Sequence, residues 1–133
     1  MPIDPDGLPG EPSLVLIVED EPLVRMLACD MLEVGGFESL EAGAASEALS
    51  LIATRPEIRV LFTDIDMPGD LDGLDLARTV AARAPKVKIL VTSGAATPLP
   101  SDLPLGARFI SKPYLPSKLL DLLKELLEPS LDV

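Results

Sequence analysis

The sequence predicts an α/β domain: a doubly wound parallel sheet of five strands with helices on both faces. Three observations carry that expectation. Short apolar segments alternate five times with segments of helical periodicity, the pattern of successive β-α units joined by right-handed crossovers. The central apolar runs, above all Leu14-Val15-Leu16-Ile17-Val18, are continuous rather than alternating, as strands covered on both faces require. The 133 residues, 47% hydrophobic and 25% charged, are enough to bury one core and too few for a second folded module.

Residues 1–12 hold Pro2, Pro5, Pro9 and Pro12, a composition that resists helix and sheet alike and predicts a flexible Pro/Gly-rich tail. The folded domain is expected over residues 13–128, with a short C-terminal tail at 129–133. The first strand, 14–18, gives way to Glu19-Asp20-Glu21 and then Pro22. An acidic side chain can cap a helix there, and a proline suits the first helical turn. In helix one the apolar positions Leu23, Met26, Leu27, Met31 and Val34 recur at three- and four-residue spacing, and Gly35-Gly36 stops it. A short, less apolar strand at 37–42 leads to an Ala/Leu-rich helix at 44–54, halted before Arg55-Pro56. The third strand, 60–64, ends on Asp64. After the loop DIDMPGDLDG a helix is expected at 74–83, then a fourth strand at 87–92 stopped by Ser93-Gly94. The next stretch carries Pro98, Pro100 and Pro104 with little periodicity, so any helix in it is short. Residues 107–111 form the fifth strand, ending at Lys112-Pro113. The closing amphipathic helix, 116–128, carries Leu119, Leu120, Leu122, Leu123, Leu126 and Leu127, first of all core but more than a single stripe holds.

Acidic residues outnumber basic ones 22 to 11, a net charge of −11 with no histidine. That balance opposes sustained contact with nucleic acid or an anionic membrane. Cys29, the one cysteine, cannot close an internal disulfide and is expected to be a buried small hydrophobe. No apolar stretch approaches the ~18 residues of a membrane span, and the N-terminus lacks the basic and apolar runs of a signal peptide. A cytoplasmic location fits best.

In sheets of this kind ligands bind beyond the carboxyl ends of the strands, near the switch in strand order. The residues at or just past those ends are Glu19, Asp20, Asp64, Ser93 and Lys112, which are expected to meet in one crevice. Carboxylates gathered there repel unless a proton or cation neutralises them. A hard divalent cation, Mg2+ or Mn2+, suits oxygen ligands of this type. Lys112 adds a compact positive charge and Ser93 a hydroxyl donor. Carboxylate, metal, ammonium and hydroxyl are the groups that phosphoryl transfer uses, and that chemistry needs no histidine or cysteine catalyst.

The motifs VLIVEDEP, TDIDMPGDLDG, VTSG and FISKPY resemble, in order and spacing, those of two-component response-regulator receiver domains, stand-alone or within hybrid kinases. The resemblance covers residues 13–128. It implies a flavodoxin-like sheet of order 2-1-3-4-5 and a phosphorelay function: Asp64 as phosphoacceptor, taking a phosphoryl group from a phosphohistidine. Asp20, with Glu19 acting through water, would hold the metal together with Asp64 and the main-chain carbonyl of Asp66. Lys112 would pair with Asp64 and then with the phosphoryl group. Ser93 would move to hydrogen-bond it, and Phe109, in the place of the family's switch aromatic, would follow Ser93. The implied partners are a sensor histidine kinase or histidine phosphotransfer protein and a downstream protein target, with a phosphorylation-dependent homodimer as one form of output. Direct DNA or membrane binding is not expected. Nor is turnover of an external substrate, since such a domain promotes only its own phosphorylation and dephosphorylation.

Two departures stand out. Gly69, Asp70 and Leu71 make the loop after Met67-Pro68 one residue longer than the commoner pattern. The prolines between Ser93 and Lys112 predict a shortened or missing fourth helix, which reshapes the face many receivers use for targets or dimerisation. Asp66 and Ala95, each two residues past a key position, flank the approach of water, so phosphoryl lifetime is expected to depend on them. Two other readings compete. An unphosphorylated pseudo-receiver would keep the fold as a binding module. A haloacid-dehalogenase-like phosphatase would use the Asp-x-Asp of DIDMPGD, but leaves Glu19, Asp20 and Lys112-Pro113 unexplained.

Overall fold

The computed structural model describes residues 13–95 and 97–128; the tails expected at 1–12 and 129–133 lie outside the described residues. Strands β1 (Leu14–Val18), β2 (Glu38–Ala42), β3 (Ile58–Asp64), β4 (Lys88–Ser93) and β5 (Arg108–Ser111) alternate with helices α1 (Pro22–Val34), α2 (Ala45–Thr54), α3 (Gly73–Arg83) and α4 (Pro116–Leu127). All strand pairs are parallel, in the order β2-β1-β3-β4-β5. This is the doubly wound, flavodoxin-like sheet the sequence predicts.

Continuous burial explains the continuous apolar runs: every residue of β1 is buried, as are all but one of β3. The edge strands β2 and β5 are only partly covered, which is why their sequences are less apolar. Two cores sandwich the sheet. Leu16, Val18, Leu61 and Val91 face Leu76 and Val80 of α3 and Ala48 of α2. On the other side Ile17, Phe62, Leu90 and Ile110 face Ala28 and Leu32 of α1 and Leu119, Leu122, Leu123 and Leu126 of α4. The remaining α4 leucines, Leu120 and Leu127, are partly buried against the same core.

Helix boundaries follow local chemistry. Pro22 stands at the start of α1, and at its end Gly35 N–H bonds back to Met31 and Gly36 N–H to Glu33. Gly36 takes φ +86°, a conformation glycine adopts at little cost. Asp72 caps α3 by accepting from Asp75 N–H at 2.9 Å, while Asp75 accepts in return from Asp72 N–H at 3.4 Å, a reciprocal capping box. Between β4 and β5 the only helical element among the described residues is a 3-10 turn, Pro100–Asp102. No α-helix therefore joins β4 to β5 among the described residues, and Arg78 ties the segment to α3 through two hydrogen bonds to Asp102 O, at 2.8 and 3.2 Å.

Three sequence expectations need correction. The apolar positions of α1 do not form its buried face: Leu23, Met26, Leu27 and Val34 are 50–87% exposed, and the buried residues are Ala28 and Leu32. Small Ala28 lets the helix lie close to the sheet. No acidic side chain caps α1, because Glu21 makes no capping bond and Glu19 turns into the site instead. Cys29 is half-buried rather than buried, with its thiol beside Ser39 and its ionisation pushed up by burial.

Candidate functional site

Alternation along the strands puts Glu19, Asp64, Thr92 and Lys112 two residues beyond Ile17, Phe62, Leu90 and Ile110, and so on the α1/α4 face of the sheet. Ser93, one residue on, belongs to the opposite face. Asp64 ends the long central strand and is 4% exposed. Its Oδ2 accepts from Lys112 Nζ at 2.9 Å and its Oδ1 from Asp66 N–H at 2.9 Å. Lys112 also donates to Glu19 Oε1 at 2.7 Å, so one ammonium bridges two buried carboxylates. The second oxygen of Glu19 accepts from Glu21 N–H at 3.1 Å, and Arg25 donates to the Glu19 carbonyl at 2.7 Å. The backbone is pinned as well: Ile65 N–H bonds to Thr92 O, Lys112 N–H to Ser93 O and Glu19 N–H to Ala42 O. A cis peptide follows at Lys112–Pro113.

Burial raises the Glu19 carboxyl above its ordinary range, and the nearby Asp64 charge adds to this; hydrogen bonds from Lys112 and Glu21 oppose but do not cancel it. Lys112 shows the reverse balance. Burial works to lower it, but the hydrogen bonds and charges of Glu19 and Asp64 prevail and hold it above the usual lysine value. The difference follows exposure, since the Lys112 side chain keeps 24% of its surface and that of Glu19 only 6%. Asp20, which is exposed, completes the acidic group: one ligand atom from each of Glu19, Asp20 and Asp64 lies within 4.8 Å of the others. Three carboxylates so close around a single ammonium leave uncompensated negative charge, the donor set a hard divalent cation fits.

Glu19, Asp20, Asp64 and Lys112 therefore come together, whereas Ser93 and Phe109 lie on the opposite face of the sheet, Ser93 reaching the site through Asp66. Ser93 is buried, and its Oγ donates to Asp66 Oδ2 at 2.6 Å while accepting from Ala95 N–H at 3.1 Å. Phe109 is half-buried beside Val91 and Leu103 on the same face as Ser93. Tyr114, whose role the sequence alone does not decide, packs edge-on against Phe62 with ring centroids 5.7 Å apart, and burial pushes its hydroxyl up.

Two residues escape a reading of the sequence. Arg25 bridges the Glu19 carbonyl and Glu41. Thr92 lines a small cavity with Asp64, Glu19 and Tyr114, and its buried hydroxyl has no hydrogen-bonding partner among the described residues. Thr63, the threonine of β3, instead bonds to the Asp64 carbonyl. Replacing Thr92 by isosteric valine removes an unpaired buried hydroxyl and is expected to raise stability by about 1 kcal/mol. Chemical denaturation measures this; a destabilised Thr92→Val protein would show that the hydroxyl is satisfied by solvent.

Fold and site together define a phosphoryl-transfer type of signalling module: a parallel α/β sheet with an aspartate, acidic partners, lysine and serine at its carboxyl edge. The family model for the response regulator receiver domain matches residues 15–124, and the chain belongs to that family, a family of two-component signalling domains rather than of conventional enzymes. It is 33% identical to the response regulator receiver protein CpdR of Brucella abortus over 84% of this chain and 92% of that protein. It is 34% identical to the sensor kinase CckA of the same species over 87% of this chain, where it spans 13% of the relative's length. Among solved structures, the receiver domain of NtrX from Brucella abortus superposes with a TM-score of 0.79 at 32% identity, covering 87% of this chain and 99% of that one.

Proposed function

We propose that Asp64 accepts a phosphoryl group from a phosphohistidine. The observation that carries this is the buried Asp64 carboxylate, oriented by Lys112 Nζ and Asp66 N–H at 2.9 Å each, at the end of a central strand with Glu19 and Asp20 alongside. A carboxylate oxygen of Asp64 forms the new P–O bond as the P–N bond to the donor imidazole breaks, with the electron pair leaving on nitrogen. Lys112 remains to neutralise the transferred oxygens. Asp20, Asp64 and the main-chain carbonyl of Asp66, with Glu19 through water, would hold Mg2+ or Mn2+. The metal, when bound, supplies charge neutralisation for the phosphoryl oxygens and the acidic cluster. Ser93 and Phe109 then transmit the change to a protein target, as a shift between two populations.

The donor in this reading is a sensor histidine kinase or phosphotransfer protein, and its product is a changed affinity for a protein partner, a second copy included. The exposed Leu23, Met26 and Leu27 of α1 follow directly on the acidic cluster, so a protein donor that reaches Asp64 passes over them. No described helix is long and apolar enough to cross a membrane, and the acidic balance, 22 Asp plus Glu against 11 Lys plus Arg, favours protein partners over DNA. A cytoplasmic site of action fits this chemistry.

Intact-protein mass spectrometry after incubation with acetyl phosphate, with and without Mg2+, tests the reading. A single-phosphate adduct that requires the metal is expected; no adduct in either condition overturns it. Metal binding has its own signature. At a Mg2+ concentration a hundredfold above Kd the folded state gains about 2.7 kcal/mol, read as a rise in Tm that chelator reverses. Asp20→Asn is expected to lose most of that rise, and a variant with the full rise would remove Asp20 from the metal site.

A further inference from the structure

Ser93 is already engaged in this structure. Its hydroxyl is committed to the side chain of Asp66, at 2.6 Å from Oδ2, a short charge-assisted bond. On its other side it accepts from Ala95 N–H. Asp66 is itself fixed by the bond from its N–H to Asp64 Oδ1, so its carboxylate stays close to the acceptor while it holds the serine. Within the reading that Ser93 hydrogen-bonds a phosphoryl group on Asp64, on which this inference rests, Ser93 has a single proton to donate. It cannot give that proton to Asp66 and to the phosphoryl oxygen at once.

We propose that Asp66 is a positioning residue that competes with the phosphoryl group for Ser93: its carboxylate restrains the serine in the unphosphorylated arrangement and so weakens the loaded one. Phosphorylation has to break the Asp66–Ser93 bond before Ser93 can contribute. The loop carrying Asp66 is the one that also contains Gly69, with φ +113°, and the Asp66 side chain is exposed. Once released it can therefore turn to solvent without disturbing the core.

The test is a double-mutant cycle read by the affinity for beryllofluoride with Mg2+, a non-covalent analogue of the bound phosphoryl group, measured by calorimetry on wild type, Asp66→Ala, Asp66→Asn, Ser93→Ala and Asp66→Ala/Ser93→Ala. Circular dichroism confirms that each variant is folded. Asp66→Ala is expected to bind the analogue about tenfold tighter than wild type, the scale of one charge-assisted hydrogen bond. Asp66→Asn, which keeps an acceptor oxygen, should lie between the two. The gain should vanish when Ser93 is already alanine. If Asp66→Ala tightens binding equally with and without Ser93, or if Asp66→Asn matches Asp66→Ala, the effect is simple repulsion between carboxylate and anion, and the restraint is refuted. Unchanged binding in Asp66→Ala refutes it as well while leaving the receiver reading intact. Failure of wild type to bind the analogue would overturn both.

Discussion

Asp64→Asn is expected to abolish the single-phosphate adduct entirely while the domain stays folded. The amide is isosteric with the carboxylate and can still accept the 2.9 Å bond from Asp66 N–H, so the end of β3 keeps its local order. What disappears is the anionic nucleophile, because a neutral amide oxygen or nitrogen does not attack phosphorus at a useful rate. Stability should not fall with activity. Glu19 is held above its ordinary ionisation range by burial and, secondarily, by the Asp64 charge. A carboxyl whose folded value is raised contributes stability below its unfolded value and loses that contribution as pH rises through the folded value. At neutral pH, then, Glu19 opposes folding, and removing the Asp64 charge eases that opposition. Lys112 loses one of its two partners but keeps Glu19 at 2.7 Å. Thermal melts at pH 7 should place the variant level with wild type or above it, and mass spectrometry should find no adduct. An adduct that persists, mapped by peptide analysis to another residue, would displace Asp64 from its role.

The order of elements and the location of the site are legible in the sequence because both depend on local features. Five apolar segments, four of them ending at Glu19, Asp64, Ser93 and Lys112, suffice once the sheet is parallel, since strand ends then share one edge. Pro98, Pro100 and Pro104 likewise announce the missing helix. Side-chain partnerships across long sequence distances are not legible. The sequence points to Asp66 through its main-chain carbonyl and as a flank of the water approach, but nothing in it shows that the side chain captures Ser93, 27 residues away. The orphan hydroxyl of Thr92 looks like an ordinary strand residue until its neighbours are packed around it. The face of α1 is misleading for a different reason. Counting large apolar residues favours Leu23, Met26, Leu27 and Val34, whereas close packing on a sheet favours a small residue such as Ala28 at the contact.

Gly73→Ala is expected to destabilise the domain severely, by about 3 kcal/mol or more, the upper end for overpacking. Gly73 is the buried first residue of α3. A Cβ at this position would overlap the carbonyl oxygen of Asp64 and stand 2.6 Å from the Asp64 carbonyl carbon and 2.7 Å from Ile65 Cα. All three are backbone atoms in or directly after the strand that carries the site, so no side chain can rotate away to make room. Either α3 retreats from β3, breaking the Gly73 N–H bond to Ile65 O at 3.1 Å and loosening the capped start of the helix, or the end of β3 moves and takes Asp64 with it. Both routes couple fold to function, so any folded fraction of the variant should also accept phosphate poorly. Gly69→Ala is the informative control. Gly69 has φ +113°, and apart from its chain neighbours nothing comes within 4 Å of where an alanine methyl would sit, so that substitution carries backbone strain alone and should cost about 1–2 kcal/mol. Denaturant melts of the two variants separate the causes: a Gly73→Ala protein no less stable than Gly69→Ala would mean that α3 is not pressed against the Asp64 backbone.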